Sequence, residues 1–380
     1  MSMSVSMGTT GGLGRGRGTR VGLVWLVALL IGVLGLTAAF TGYLFRTISR
    51  PALSVHAAPP PRPYTLILLQ GPDLFVLQGG ISRRVATLPL PVAADLTTTS
   101  VAPDGGHVLV VSGAHGGDRL WMLSLRGGEL REVALPPASP GGWHYLTSRW
   151  TSGGAVSAIL ASGRQDSAAL AVGRIAVGGV LQALSPWVLP IDRRTGPSQV
   201  VSLSSDAGQV ALAERLGGGG GFQSQILVKL QHLATPRASI ADRYLGDALP
   251  SAVLWSPDDG TVAIAAAGAG LAIQKASGRP VRLAQDGHLP GAFSAGVARF
   301  CYLSTVTHRW QFHVLDLHSE MDTAVGSTLR GRPEWVSWTP DGRGILYTLG
   351  GRLWALDPVV GATRLLGAVR GTPIAVRATQ

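Results

Sequence analysis

The groups in this sequence that could do chemistry are a set of recurring aspartates, three evenly spaced histidines and one thiol. Asp104, Asp206, Asp258 and Asp341 would be candidates for general acid–base work, but each lies in a Pro/Ser-Asp-Gly-like corner. There a carboxylate is wanted as a local acceptor for backbone N–H groups. His308, His313 and His318 recur every fifth residue in HRWQFHVLDLH. On a strand that offset alternates faces, so the three do not converge on one metal ion. Cys301 stands alone in Phe-Cys-Tyr-Leu, so there is no intrachain disulfide, and the residue reads as a buried strand position. The five glycines at 217–221 lack the Lys-Ser/Thr of a phosphate-binding loop, and no Gly-x-Ser-x-Gly elbow occurs. The expected set is therefore empty for catalytic, cofactor-binding and metal-ligating residues. Trp143 and His144, in the Pro/Gly-rich stretch PPASPGGWHY, are expected to form an exposed binding loop.

The elements that carry these residues are built by repetition. SVAPDGGHVLVVSG (100–113), LWSPDDGTVAIAAAG (254–268) and SWTPDGRGILYTLGG (337–351) share one pattern. Each has a short apolar run, then Ser/Ala/Thr-Pro-Asp-(Asp)-Gly, then an apolar or alternating strand. SLSSDAGQVALAE (202–214) is a degenerate copy with Ser205 in place of proline, and SRWTSGGAVSAIL is a fainter one. Proline presets φ for the corner, aspartate caps its own backbone and glycine supplies positive φ, so each copy reads as a β-hairpin. A third strand with a tryptophan follows (Leu-Trp-Met-Leu at 120–123, Leu-Trp-Ala-Leu at 353–356), then a short edge strand, giving four strands per unit. The four aspartates lie 102, 52 and 83 residues apart. Adding degenerate units near Ser152 and Ser294 brings each step to roughly 35–55 residues, the length of a four-stranded blade.

The Trp-Ser/Thr-Pro-Asp-Gly corner followed by a strand and Leu-Trp-x-Leu/Val-Asp resembles the TolB-type, WD-repeat-related β-propellers over about residues 64–380. That resemblance implies an all-β fold of about seven four-stranded blades, within a range of six to eight. Units start near Tyr64, Val92, Gly142, Ser198, Ala248, His288 and Gly331. The spare strand Pro-Ile-Ala-Val-Arg at 373–377 would close the ring against the N-terminal blade. The unit with Leu353-Trp354-Ala355-Leu356-Asp357-Pro358 and Gly361 is also similar to a quinoprotein-type repeat. The tryptophan-docking pattern of that family is missing elsewhere, and no cofactor is expected.

Residues 1–20 form a basic Gly/Ser-rich tail. Residues 21–45 follow without a charge, with Trp25 and Tyr43 near the ends. About 20 apolar residues span the hydrocarbon core as a helix, so 21–45 are expected to be a single-pass membrane anchor whose partner is the lipid bilayer. The h-region of a cleavable signal is shorter. Residues 46–63, with Pro59, Pro60, Pro61 and Pro63, are expected to be an extended linker. Arg15, Arg17 and Arg20 on the near side place the tail inside and the propeller, residues 64–380, outside the cell membrane.

The formal net charge is +11, but all of the 32 basic residues except Lys229 and Lys275 are arginine, scattered singly or in pairs. No aromatic-interleaved basic stripe exists, so no nucleic-acid partner is expected. Two functions fit. One is an envelope binding or scaffolding module for a protein, peptide or glycan, more a binder than an enzyme. The alternative is an envelope lyase, lactonase or hydrolase with its site at the mouth of the propeller channel.

Overall fold

The computed structural model describes residues 64–378, except 114–116, 138–141, 152, 163–168, 188–198, 217–223, 236–237, 246–247, 267–268, 278–279 and 297. Seven four-stranded antiparallel sheets account for this region, one per sequence unit. In each, the strands follow chain order from the inside outward, except in the first. There Thr372–Ala378 supplies the inner strand beside Tyr64–Gln70, with Asp73–Gln78 and Ile81–Thr87 completing the blade. The inner strands of blades two to seven are Leu96–Val101, Trp143–Trp150, Gln199–Leu203, Ala252–Trp255, Gly287–Phe293 and Trp335–Trp338. They start within four residues of the expected positions. The inner strands of blades three and four, four and five, and six and seven touch, Thr372–Ala378 touches those of blades two and seven, and apolar clusters join blades two to three and five to six, so the ring closes on itself. Among the described residues the single helix is Leu90–Ala94, where Pro91 suits the first turn and Val92 is buried; the second blade therefore begins at Leu96 rather than Val92.

Second strands are apolar on both faces because both faces are covered. Val156–Ser162 and Thr261–Ala266 are buried along their whole length. The buried side chains fall into seven clusters, one for each junction between blades. Each wholly buried Leu, Ile or Val adds roughly 1.5–3 kcal/mol. Three junctions carry the same polar staple. The inner strands of blades three, five and seven all end in tryptophan, and each indole N–H reaches the preceding blade. Trp150 donates to Ser100 Oγ (3.2 Å), Trp255 to Ser202 Oγ (2.9 Å) and Trp338 to the Ala292 carbonyl (2.9 Å). The closing junction, between blades seven and one, has the smallest buried set: Leu66, Leu68, Leu353 and Val369.

The repeated aspartates do what their corners require. The carboxylates of Asp104, Asp206, Asp258 and Asp341 accept the amide of the residue two positions on, at 2.7–3.2 Å. The hydroxyl two positions before the aspartate (Ser204, Ser256 or Thr339) donates to that carboxylate and accepts the amide five residues on. Ala102 stands at this position in the first copy and lacks that bond. The positive-φ position is Gly105 (+63°), Ala207 (+56°), Asp259 (+55°) and Gly342 (+67°). So the second aspartate of Pro-Asp-Asp-Gly is no insertion: Asp259 occupies the glycine position, which aspartate tolerates better than most residues.

That substitution creates a clasp. The Asp259 carboxylate accepts the Ser205 amide (2.9 and 3.0 Å), the Ser205 hydroxyl (2.5 Å) and the Asp206 amide (3.2 Å) of the neighbouring corner. Ser205 can donate because it replaces the proline of the other copies, which has no N–H. From blade three, Arg149 reaches past blade four to the carbonyls of Trp255 (3.1 Å) and Ser256 (3.0 Å), with Asp259 3.7 Å away. Asp259→Asn keeps the size and the backbone preference but removes the charge; it should lower stability by about 1–3 kcal/mol. Asp259→Gly, which relaxes the backbone yet deletes the clasp, should lose at least as much. Urea unfolding followed by tryptophan fluorescence would check both.

Candidate functional site

Antiparallel alternation puts the corners between inner and second strands, and those between third and outer strands, on one face of the ring. The hairpins between second and third strands and the connections between blades form the other. Tyr64 pairs with Ala378 at the first of these faces, so the chain enters the propeller there.

Trp143 and His144 lie on the second face. Trp143 is not on an exposed loop: it opens the inner strand of blade three, is half-buried, and packs on the cluster shared by blades two and three. Its indole donates to the Pro136 carbonyl (2.9 Å). Asp118 ties the strand start down, its amide donating to the Trp143 carbonyl (2.6 Å) and its carboxylate accepting the Tyr145 amide (2.8 Å). Only His144 of the two is exposed. The indole packs inward because the strand starts earlier than the glycines before it suggest. Nearby, a groove of about 680 Å³ runs between blades two and three, lined by Arg131, Leu135, Pro136, Gly179 and Leu181 among others.

The three histidines are not brought together. His308 lies in the turn before the third strand of blade six (Arg309–Asp316), His313 within that strand and His318 in the turn after it. Among the described residues no group of three His, Cys, Asp or Glu side chains is placed to hold a metal ion. Cys301 is fully buried in the second strand of blade six, and burial pushes its thiol up to about 12, which leaves it un-ionised at neutral pH.

A polar cluster that the sequence reading missed surrounds Asp322, at the start of the outer strand of blade six. Its Oδ2 accepts the Tyr302 hydroxyl (2.8 Å) and faces His313 Nδ1 (3.2 Å); Arg282 of blade five lies at 3.0 Å. The carboxylate is 5% exposed, and Oδ1 has no hydrogen-bond partner among the described residues. Tyr302 and His313 are directly paired across adjacent strands. The signal was that register, which becomes readable once the turn at Thr307-His308 is known. Burial favours the neutral acid, but hydrogen bonds from His313 and Tyr302 and the charges of His313 and Arg282 outweigh it, so the Asp322 carboxyl sits below its ordinary value. The phenol of Tyr302 is pushed well up, first by burial and then by Asp322. The cluster can fix a histidine ring and bridge two blades. A folded-state value below the ordinary 3.8 means the cluster stabilises the fold above that pH and ceases to as pH falls through the lower value. Asp322→Asn should cost about 1–3 kcal/mol at pH 7, with the difference from the parent shrinking in acid; thermal unfolding from pH 7 to pH 3 reads this out.

No known protein family matches the sequence, and no curated protein matches it. Many solved structures share its fold. One, from a study of two prolyl endopeptidases, is 11% identical with a TM-score of 0.51, covering 84% of this chain and 50% of that one. An oligogalacturonate lyase in complex with manganese is 12% identical with a TM-score of 0.51, covering 81% and 85%. TolB from Acinetobacter baumannii is 11% identical with a TM-score of 0.40, covering 71% and 65%. At these identities the likeness concerns fold alone. Seven sheets in a closed ring, four strands to each, make residues 64–378 a seven-bladed β-propeller.

Proposed function

We propose that this chain is a membrane-anchored binding module: the propeller holds a protein, peptide or glycan partner outside the cell membrane, and residues 21–45 form the tether. Residues 21–45 and the linker at 46–63 lie outside the described residues, and no helix among the described residues is long and apolar enough to cross a membrane; the anchor rests on the uncharged run itself. The observation that carries the binding reading is the use made of charge near the axis. On the corner face Arg149 and Asp259 join blades three, four and five, while Arg377 bonds the Gly105 carbonyl of blade two (2.9 Å). The corner aspartates cap their own turns. Groups spent on holding blades together are poorly placed to cycle protons for a substrate at the channel mouth.

The second reading, an envelope enzyme, draws on the Asp322–His313 pair, in which a carboxylate orients an imidazole. That pair sits between blades five and six, not at the axis.

Protease added to intact cells should remove the propeller and leave a short N-terminal fragment in the membrane. Cross-linking in living cells, followed by purification through a C-terminal tag, should recover the same partner each time. Full protection of the propeller would reverse the orientation. Failure to recover any reproducible partner, together with turnover of an envelope glycan that Asp322→Asn abolishes, would favour the enzyme.

A further inference from the structure

The hairpin face of blades six and seven carries a strip of arginines without acidic partners, and a comparison within the molecule brings it out. In blade two the third strand opens with Arg119, which meets Glu132 of the outer strand (3.9 Å). Blade six opens its third strand with Arg309. There Trp310 pairs with Leu329, which leaves Arg309 facing Arg330, whereas in blade two Trp121 pairs with Glu132 and Arg119 faces Ala134, with the glutamate reached diagonally. In blade seven Arg352 pairs with Ala368, and Arg370 follows two residues on. Among the described residues no carboxylate forms an ion pair with Arg309, Arg330, Arg352 or Arg370, and all four are exposed. A fifth, Arg332, lies 5.4 Å over the Trp310 ring and donates through Nε (3.1 Å) and Nη2 to the Leu289 carbonyl. The exposed acids beside them are Asp286 and Glu334, so the strip keeps an excess of positive charge.

Its shape is fixed. Val306 pairs with Arg309 across the two-residue turn Thr307-His308, with φ of +47° and +63°. That turn geometry suits Asn-Gly, and a β-branched threonine adopts it only under constraint. The turn projects Val306, 39% exposed, beside Arg309. A row of planar guanidinium forks next to an apolar tip suits carboxylates interspersed with apolar side chains. Trp310 is already engaged, with Arg332 over one face of its ring and His288 packed against it at 5.2 Å and a steep angle, which disfavours stacking of a sugar ring there.

We infer that the hairpin face of blades six and seven binds an acidic polypeptide segment, with Arg309, Arg330, Arg352 and Arg370 taking its carboxylates and Val306 an apolar residue. This rests on the binding-module reading and names the partner class.

The test uses the full chain in detergent micelles and a fluorescent ten-residue peptide alternating Glu-Glu with Val, measured by anisotropy at low salt. Binding should weaken as salt rises. Arg309→Glu with Arg330→Glu should weaken it roughly tenfold or more, as should Arg352→Glu with Arg370→Glu, while Arg119→Glu leaves it unchanged. All are surface positions, and an unchanged near-ultraviolet dichroism spectrum establishes that the variants fold. Equal affinity in parent and blade-six variant overturns the site. Oligogalacturonate of matched charge binding as tightly as the peptide, with the same arginine dependence, overturns the partner class. If the variants lose the peptide yet recover their cellular partner undiminished, the strip is not the docking site, and the binding-module reading stands.

Discussion

A four-stranded sheet with two apolar faces cannot exist alone in water, and the rest of this structure depends on that constraint. Each blade is covered only by its neighbours, so burial is shared between units and a single blade has little stability of its own. The seven junctions differ in composition. Those between blades two and three, four and five, and six and seven combine large apolar clusters with an indole N–H bond placed at the end of an inner strand. The others rely on packing, to which Arg377 adds a bond to the corner of blade two and Arg282 an ion pair to blade six. The ring is thus assembled from three stapled pairs and one composite blade.

The corner face shows how departures from a repeat become contacts between repeats. Ser205 breaks the proline rule of its corner, and Asp259 breaks the glycine rule of the next. The two exceptions meet, the freed amide of one donating to the carboxylate of the other. A consensus corner offers neither group. Blade six departs in another way, replacing apolar positions with Tyr302, His313 and Asp322, and these too meet across strands and recruit Arg282 from the preceding blade. Degeneracy in this chain therefore marks places where blades hold one another.

Much of the fold was legible because its determinants are local. Pro-Asp-Gly corners, apolar runs and tryptophan-bearing third strands recur at blade length, and the spare strand near residue 375 announced closure. The site residues were less legible, since their partners are set by register and ring geometry. Trp143 looked exposed from its glycine-rich approach, but the strand begins early enough for the ring to pack inward. The partners of Asp259 lie more than fifty positions away and depend on which corner stands beside it. His313 was weighed against His308 and His318 along the chain, whereas its neighbour in space is Asp322 across a strand pair.

The composite blade also sets an order of events on the ribosome. Its three outer members emerge first, but the strand that covers their inner edge follows the six other blades. At ordinary elongation rates that interval is on the order of tens of seconds. Throughout it, Tyr64–Gln70 presents an unpaired row of N–H and C=O groups able to recruit strands from other chains. The nascent propeller spends that interval as an open arc, and its exposure to misassembly is greatest until the last strand docks.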